Sequence, residues 1–153
     1  MKDRKPNRLK SYDYNRRGYY YVTICTQDKA KSFGKIINEK MELSKIGNIA
    51  NKIWFTIPEY HKNIKLDTFI IMPDHIHCII ILENSAIKTN RSKMILSKTI
   101  HAFKSAITRD IRENLNNNYF AWEKSFYDHI IRDDMILNRI RKYILDNPSN
   151  WND

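Results

Sequence analysis

The stretch LDTFIIMPDHIHCIIIL, Leu66 to Leu82, decides how this chain is read. Two apolar, β-branched runs, Leu66–Met72 and His75–Leu82, flank Pro73-Asp74. Pro has no N–H to give a ladder and Asp favours turns, so the pair predicts a tight break between two strands. Side chains along a strand alternate with a period of two. His75 and His77 therefore share one face, while Ile76, Cys78 and Ile80 look the other way, toward a core. Two imidazoles on one face suit a single divalent ion. His-x-His on a strand is more often structural, so the spacing alone leaves both readings open. Burying unpaired imidazoles beside such an apolar run is costly, which favours a function.

Working outward, YYYVTICT (Tyr19–Thr26) is β-branched and aromatic and reads as a strand. FGKIINEKMEL (Phe33–Leu43) reads as a hairpin turning at Asn38-Glu39. Ser44 can cap a helix to about Ile57, with Ile46, Ile49, Ile53 and Trp54 on one face and Pro58 ending or bending it. The longest helix spans Ser92–Leu115, with Ile100, Phe103, Ile107 and Ile111 as its stripe. Lys93, Lys98, Lys104, Arg109 and Arg112 form its other face, a solvated surface or a guide for DNA. After a loop at Asn116–Asn118, Phe126–Arg132 predicts a short strand. Asp133 caps a last helix to about Asp146, with Leu137, Ile140 and Ile144 as its stripe and Pro148 beyond. This order predicts one α+β domain over residues 1–153, an antiparallel sheet covered by helices with a ferredoxin-like (RNA-recognition-like) core. The helices at about 44–57 and 92–115 are expected on one face of it.

Composition narrows the function. With 42% hydrophobic and 29% charged residues the chain is globular rather than disordered. No run approaches the ~18 apolar residues that span a bilayer, so no membrane insertion is expected. Cys25 and Cys78 both sit in apolar runs, which fits reduced thiols and a cytoplasmic location. The formal net charge of +10 points to a polyanionic partner, nucleic acid first. Residues 1–17 carry seven Lys or Arg against two Asp, half of that excess. Arg4, Lys5, Arg8, Lys10, Arg16 and Arg17 thus read as a basic arm for a phosphate backbone.

In the last helix, Tyr143 and Asn147 are i and i+4 and share a face beside the apolar stripe. Helical tyrosines usually pack, but Arg139, Arg141 and Lys142 stand near this one and can steady a phosphate. Four motifs now occur in one order: the basic RLKSYDY (8–14) before YYYVTICT, MPDHIH (72–77), FYDHIIRDD (126–134) and NRIRKYILDNPSNW (138–151). Together they resemble the REP-associated tyrosine transposases, within the insertion-sequence-200-like, single-tyrosine His-hydrophobe-His transposases. The resemblance covers nearly the whole chain. One departure is Asp74, where the family commonly has Asn.

The resemblance implies an enzyme that cuts single-stranded DNA at a defined place beside an imperfect hairpin. Tyr143 is then the nucleophile, His75 and His77 hold a divalent metal, and Asn147 is the third protein ligand. Mg²⁺ or Mn²⁺ suits phosphate chemistry, and imidazole ligands tilt the choice toward Mn²⁺. Attack by Tyr143 would give a 5′-phosphotyrosyl enzyme and a free 3′-OH, and a second 3′-OH could reseal the strand. One nucleophile per chain implies a homodimer where two cuts are coordinated. Arg139 and Lys142 join the arm as expected DNA contacts. Two other readings remain: a nucleic-acid-binding module without catalysis, and a metal-dependent phosphoesterase that uses water and leaves no covalent adduct. The arm makes the first prediction. Neutralising several of its cations should weaken single-stranded DNA binding and flatten its log–log salt dependence by roughly 0.7 per lost contact, measured by titration at several salt concentrations. An unchanged slope would make the arm a solvated tail, and neutralising Lys98 and Lys104 is the control.

Overall fold

The computed structural model describes residues 17–83 and 90–152. The basic arm lies outside the described residues except at Arg17, whose backbone opens the first strand. Four strands make the main sheet: β1 (Arg17–Cys25), β4 (Ile64–Ile71), β5 (His75–Glu83) and β6 (Tyr127–Ile131). They lie in the order β4-β5-β1-β6, and every neighbouring pair is antiparallel. With α3 (Asn90–Leu115) between β5 and β6, and α1 (Lys45–Trp54) between β1 and β4, this is the ferredoxin-like arrangement. The hairpin of β2 (Gly34–Ile37) and β3 (Lys40–Leu43) does not join that sheet. It forms a sheet of its own inside the first crossover. Its turn residues, Asn38 at φ 51° and Glu39 at φ 61°, are both left-handed, as a tight hairpin of matching twist requires.

Local signals set the helix ends. The Ser44 hydroxyl accepts from Gly47 N at 3.1 Å and donates to Ser32 O at 2.7 Å, which caps α1 and ties it to the hairpin's approach. Of the end or bend expected at Pro58, the structure shows a bend. The first helix stops at Trp54, and Pro58 sits in the opening turn of a separate short helix, α2 (Ile57–Tyr60), where its missing N–H has no partner to lose. Asp133 Oδ1 accepts from Ile136 N at 2.8 Å and starts α4 (Asp134–Asp146).

Both faces of the sheet are covered. On one face Tyr20, Val22 and Ile24 of β1 and Ile76, Cys78, Ile80 and Leu82 of β5 pack against Ala50 and Trp54 of α1 and the Ile100–Ile111 stripe of α3. On the other, Tyr19, Ile79, Ile81 and Ile131 pack under Leu137 and Ile144 of α4. A central strand buried on both sides reads as an unbroken apolar run, which is why HCIIIL shows no polar alternation. Gly47 shows how closely the hairpin and α1 approach. A Cβ there would lie 2.2 Å from the Phe33 carbonyl oxygen, a backbone atom that cannot swing aside. Gly47→Ala should therefore destabilise the domain by about 1–3 kcal/mol, read from urea unfolding.

Candidate active site

The β5 register sets the site. His75 and His77 project to the same side of the strand, their ring centroids 4.5 Å apart, as the period of two requires. Each ring is engaged at Nδ1. His75 Nδ1 meets the carboxylate of Asp74. His77 Nδ1 lies 2.9 Å from Thr23 Oγ1 and 3.1 Å from Tyr21 Oη. With the proton on Nδ1, both imidazoles donate to these oxygens and present the Nε2 lone pair, the arrangement in which histidine ligates a metal.

The partners are themselves fixed. The Pro73-Asp74 turn is held by Thr26 N and Oγ1 on Asp74 O, both at 3.0 Å, and by Phe33 N on Pro73 O at 3.0 Å. Asp74, the departure from the family pattern, thus has a use: an anionic acceptor that orients the His75 ring. Tyr21 and Thr23 lie on β1, where Thr23 stands opposite His77. Burial, and secondarily the charge of His75, push the His77 imidazole down to about 3, so at neutral pH it carries no proton that would block ligation. Burial above all lifts the Tyr21 phenol to about 12, so it stays a hydroxyl.

Tyr143 comes to this cluster from α4. Its ring centroid is 5.7 Å from that of His77, and the side chain is 52% exposed, so the hydroxyl is open to a ligand. Asn147 follows at the end of α4, where its amide nitrogen donates to the Tyr143 carbonyl at 3.0 Å. That bond leaves the amide oxygen, the atom a hard cation takes. Among the described residues no cluster of three or more His, Cys, Asp or Glu side chains is arranged to hold an ion. A cation on the two imidazoles would therefore draw its further ligands from amide, phosphate or water oxygens. The donor set, two imidazoles oriented from behind, fits such an ion.

Other charged residues of α4 have different employment. Arg141 forks onto Asp67 of β4, Nε to Oδ2 at 2.9 Å and Nη2 to Oδ1 at 2.7 Å. Asp67 can meet it because β4 is bulged between Leu66 and Phe69: both of these residues pack on the α1–α3 side, which leaves Asp67 toward α4. Lys142 pairs with Asp146 at 2.8 Å along the exposed side of the helix. Arg139, whose guanidinium reaches Met135 Sδ at 3.5 Å, is exposed. On α3, Lys104 donates to Glu123 O at 2.8 Å and lies over the Trp122 ring, so it braces the segment before β6. A cleft of about 620 Å³ runs beside it, lined by His101, Arg109, Arg112 and Lys124, but α3 covers the sheet face opposite the histidines. The candidate site is an open sheet face, which suits a polymer better than a small molecule.

A family profile described as "Transposase IS200 like" matches residues 15–147. The chain belongs to the IS200-like transposase family. An uncharacterized protein of Haemophilus influenzae is 34% identical over 97% of this chain and 89% of its own length. A second H. influenzae protein, described as a candidate REP-associated tyrosine transposase, is 26% identical over 89% of this chain and 73% of its own. In fold, this IS200-like transposase resembles a REP-associated tyrosine transposase solved with a REP hairpin, with a TM-score of 0.56 and 16% identity over 91% of this chain and 71% of that one. It also resembles a candidate transposase from Deinococcus radiodurans, with a TM-score of 0.54 and 15% identity over 95% and 97%.

The Arg141–Asp67 fork holds the helix that carries Tyr143. Burial alone would raise the Asp67 carboxyl, but the hydrogen bonds and charge of Arg141 outweigh it and hold the group below its ordinary value of 3.8. A depressed carboxyl stabilises the fold above its unfolded value and loses that contribution as pH falls through the folded one. Arg141→Ala should cost about 1–3 kcal/mol at neutral pH and make acid unfolding below pH ~4 less steep, followed by circular dichroism.

Proposed function

We propose that this transposase nicks and rejoins single-stranded DNA beside an imperfect hairpin, with Tyr143 as nucleophile and His75 and His77 as the seat of a divalent metal. The observation that carries the reading is the meeting, within one chain, of two oriented imidazoles on β5 and an exposed phenol on α4. His75, His77 and the Asn147 amide oxygen would hold a divalent cation, Mg²⁺ or Mn²⁺, which would supply positive charge for the scissile phosphate.

The chain's own residues do the rest. Asp74, Thr23 and Tyr21 fix the two rings, so the phosphate is received in one orientation. Tyr143 gives its phenolic proton to solvent, to which it is open, and its oxygen bonds to phosphorus. The P–O3′ bond breaks, and the departing 3′-oxygen takes a proton. The product is a 5′-phosphotyrosyl chain and a free 3′-OH. Attack by a 3′-OH on that linkage reverses the step and seals the strand without an external energy source. Arg139, one turn before Tyr143, is placed to meet the DNA backbone, and the basic residues 4–17 add charge for it. Tyr143 beside its own chain's His77 favours nucleophile and metal acting in the same subunit. A homodimer would then serve to pair two cuts.

Incubation with single-stranded hairpin DNA and Mn²⁺, followed by denaturing gels, tests this. The wild type should yield a nicked strand and a protein–DNA adduct that survives denaturant. Tyr143→Phe should fold and bind DNA but form no adduct. His75→Ala and His77→Ala should lose cleavage while binding changes far less, because phosphate contacts supply most of the affinity. An adduct from Tyr143→Phe would give the role to another residue. Nicking by the wild type without an adduct would make the protein a water-using phosphoesterase, and binding without nicking a non-catalytic module.

A further inference from the structure

We propose that the part of this sheet face left uncovered by α4 is a stacking platform for unpaired bases of single-stranded DNA, built on Tyr127 and His129 of β6. The proposal rests on the reading above, in which a phosphate sits at His75 and His77.

Register places the two rings. Tyr127 stands opposite Thr23, and Thr23 opposite His77, so the three form one row across β6, β1 and β5. Two strand spacings, about 10 Å, separate the ends of that row. That is close enough for a base adjoining a phosphate held at the histidines. His129 stands opposite Tyr21, one pleat further along the same face. It meets the Tyr21 ring edge-on at 5.3 Å, and Tyr21 in turn lies 5.6 Å from the His77 ring. An aromatic path therefore runs from the metal-ligating pair to the sheet edge.

The domain buries neither ring. Tyr127 is 63% exposed, His129 is exposed as well, and neither belongs to the apolar cluster under α4. That helix covers Tyr19, Ile79, Ile81 and Ile131 at the other end of the face. Edge strands are ordinarily blunted with charge, yet two exposed rings stand on this side of β6. Exposed aromatics on an open antiparallel sheet are what base stacking requires, since every base offers a π-face. The charge of the chain agrees with a polyanion, and a cation flanks the far side of the histidines: Lys31 Nζ stands 5.8 Å from the Trp151 ring, which lies 6.3 Å from that of His75. A strand passing from Trp151 over the histidines to Tyr127 would meet a ring on each side of its held phosphate.

Glu123 stands beside the Tyr127 hydroxyl. The carboxylate, by its charge first and then by a hydrogen bond from the Tyr127 hydroxyl at 3.4 Å, raises the phenol above its ordinary range.

The test compares two DNA hairpins, one with an unpaired single-stranded flank carrying 2-aminopurine and one trimmed flush, by fluorescence anisotropy and 2-aminopurine quenching. Tyr127→Ala and His129→Ala should each bind the flanked hairpin roughly tenfold more weakly and lose the quench, with the trimmed hairpin bound as by the wild type. Tyr127→Phe, which keeps the ring, should behave as the wild type. If Tyr127→Ala does not fold, Tyr127→Thr, a strand former without a ring, takes its place. Alanine variants that bind the flanked hairpin normally, or lose affinity equally for both hairpins, would overturn the platform. The adduct assay separates this from the nicking chemistry. A flank-dependent loss alongside a wild type that forms no adduct would uphold the platform and sink the nuclease. Normal binding by the alanine variants alongside wild-type adduct formation would do the reverse.

Discussion

Everything in this domain hangs on β5 being buried on both sides while carrying two imidazoles on one of them. The strand has β4 and β1 as ladder partners, α1 and α3 behind it and α4 in front. A strand so enclosed cannot slip by one residue, because a slip would drive Ile76, Cys78 and Ile80 out of the core and the histidines into it. The register that protects the core is therefore also what aims His75 and His77. Their polar partners come from rigid neighbours, Thr23 and Tyr21 on β1 and Asp74 in a turn pinned by Thr26 and Phe33. A buried imidazole is tolerated here because its Nδ1 is satisfied.

The second determinant is how far α4 reaches across its face. Its apolar stripe seals the Ile79–Ile81 end, and the Arg141–Asp67 fork stops it from rolling. Tyr143 projects from the margin of that contact, half in and half out, rather than from its centre. A side chain at the edge of a packed helix gains a fixed position from the packing and access from the edge. The same arrangement leaves Thr23, Tyr127 and His129 outside the helix's shadow.

Much of this was legible in the sequence because it depends on local periodicity. The period of two separates His75 and His77 from Ile76 and Cys78, the caps at Ser44 and Asp133 announce their helices, and Asn38-Glu39 announces its turn. What escaped depends on pairing between distant segments. The β4 bulge that turns Asp67 toward Arg141 leaves no local mark, so Arg141 read as a phosphate contact. Lys104 read as part of a solvated face until the 122–124 segment was laid across it. Tyr21 and Thr23 carried a signal that alternation within YYYVTIC could have exposed, since they share a face two residues apart, but their use needed His77 opposite. At Pro58 the sequence left an end or a bend open, because proline is as good at opening a helix as at closing one.

The strand order has a consequence for how the protein comes into being. Tyr19 of β1 pairs with Ile131 of β6 on one side and Ile81 of β5 on the other, so the sheet is closed by contacts between widely separated parts of the chain. Such non-local pairing forms late and slowly compared with helices and hairpins. During synthesis, a polypeptide that has emerged only as far as β5 already holds both histidines but has no β6, no α4 and no Tyr143. His75, His77 and Tyr143 meet only when the C-terminal elements dock on a sheet begun more than a hundred residues earlier. Completion of the chain thus acts as a timer on the assembly of this face, and a truncated product would lack Tyr143 beside the histidines.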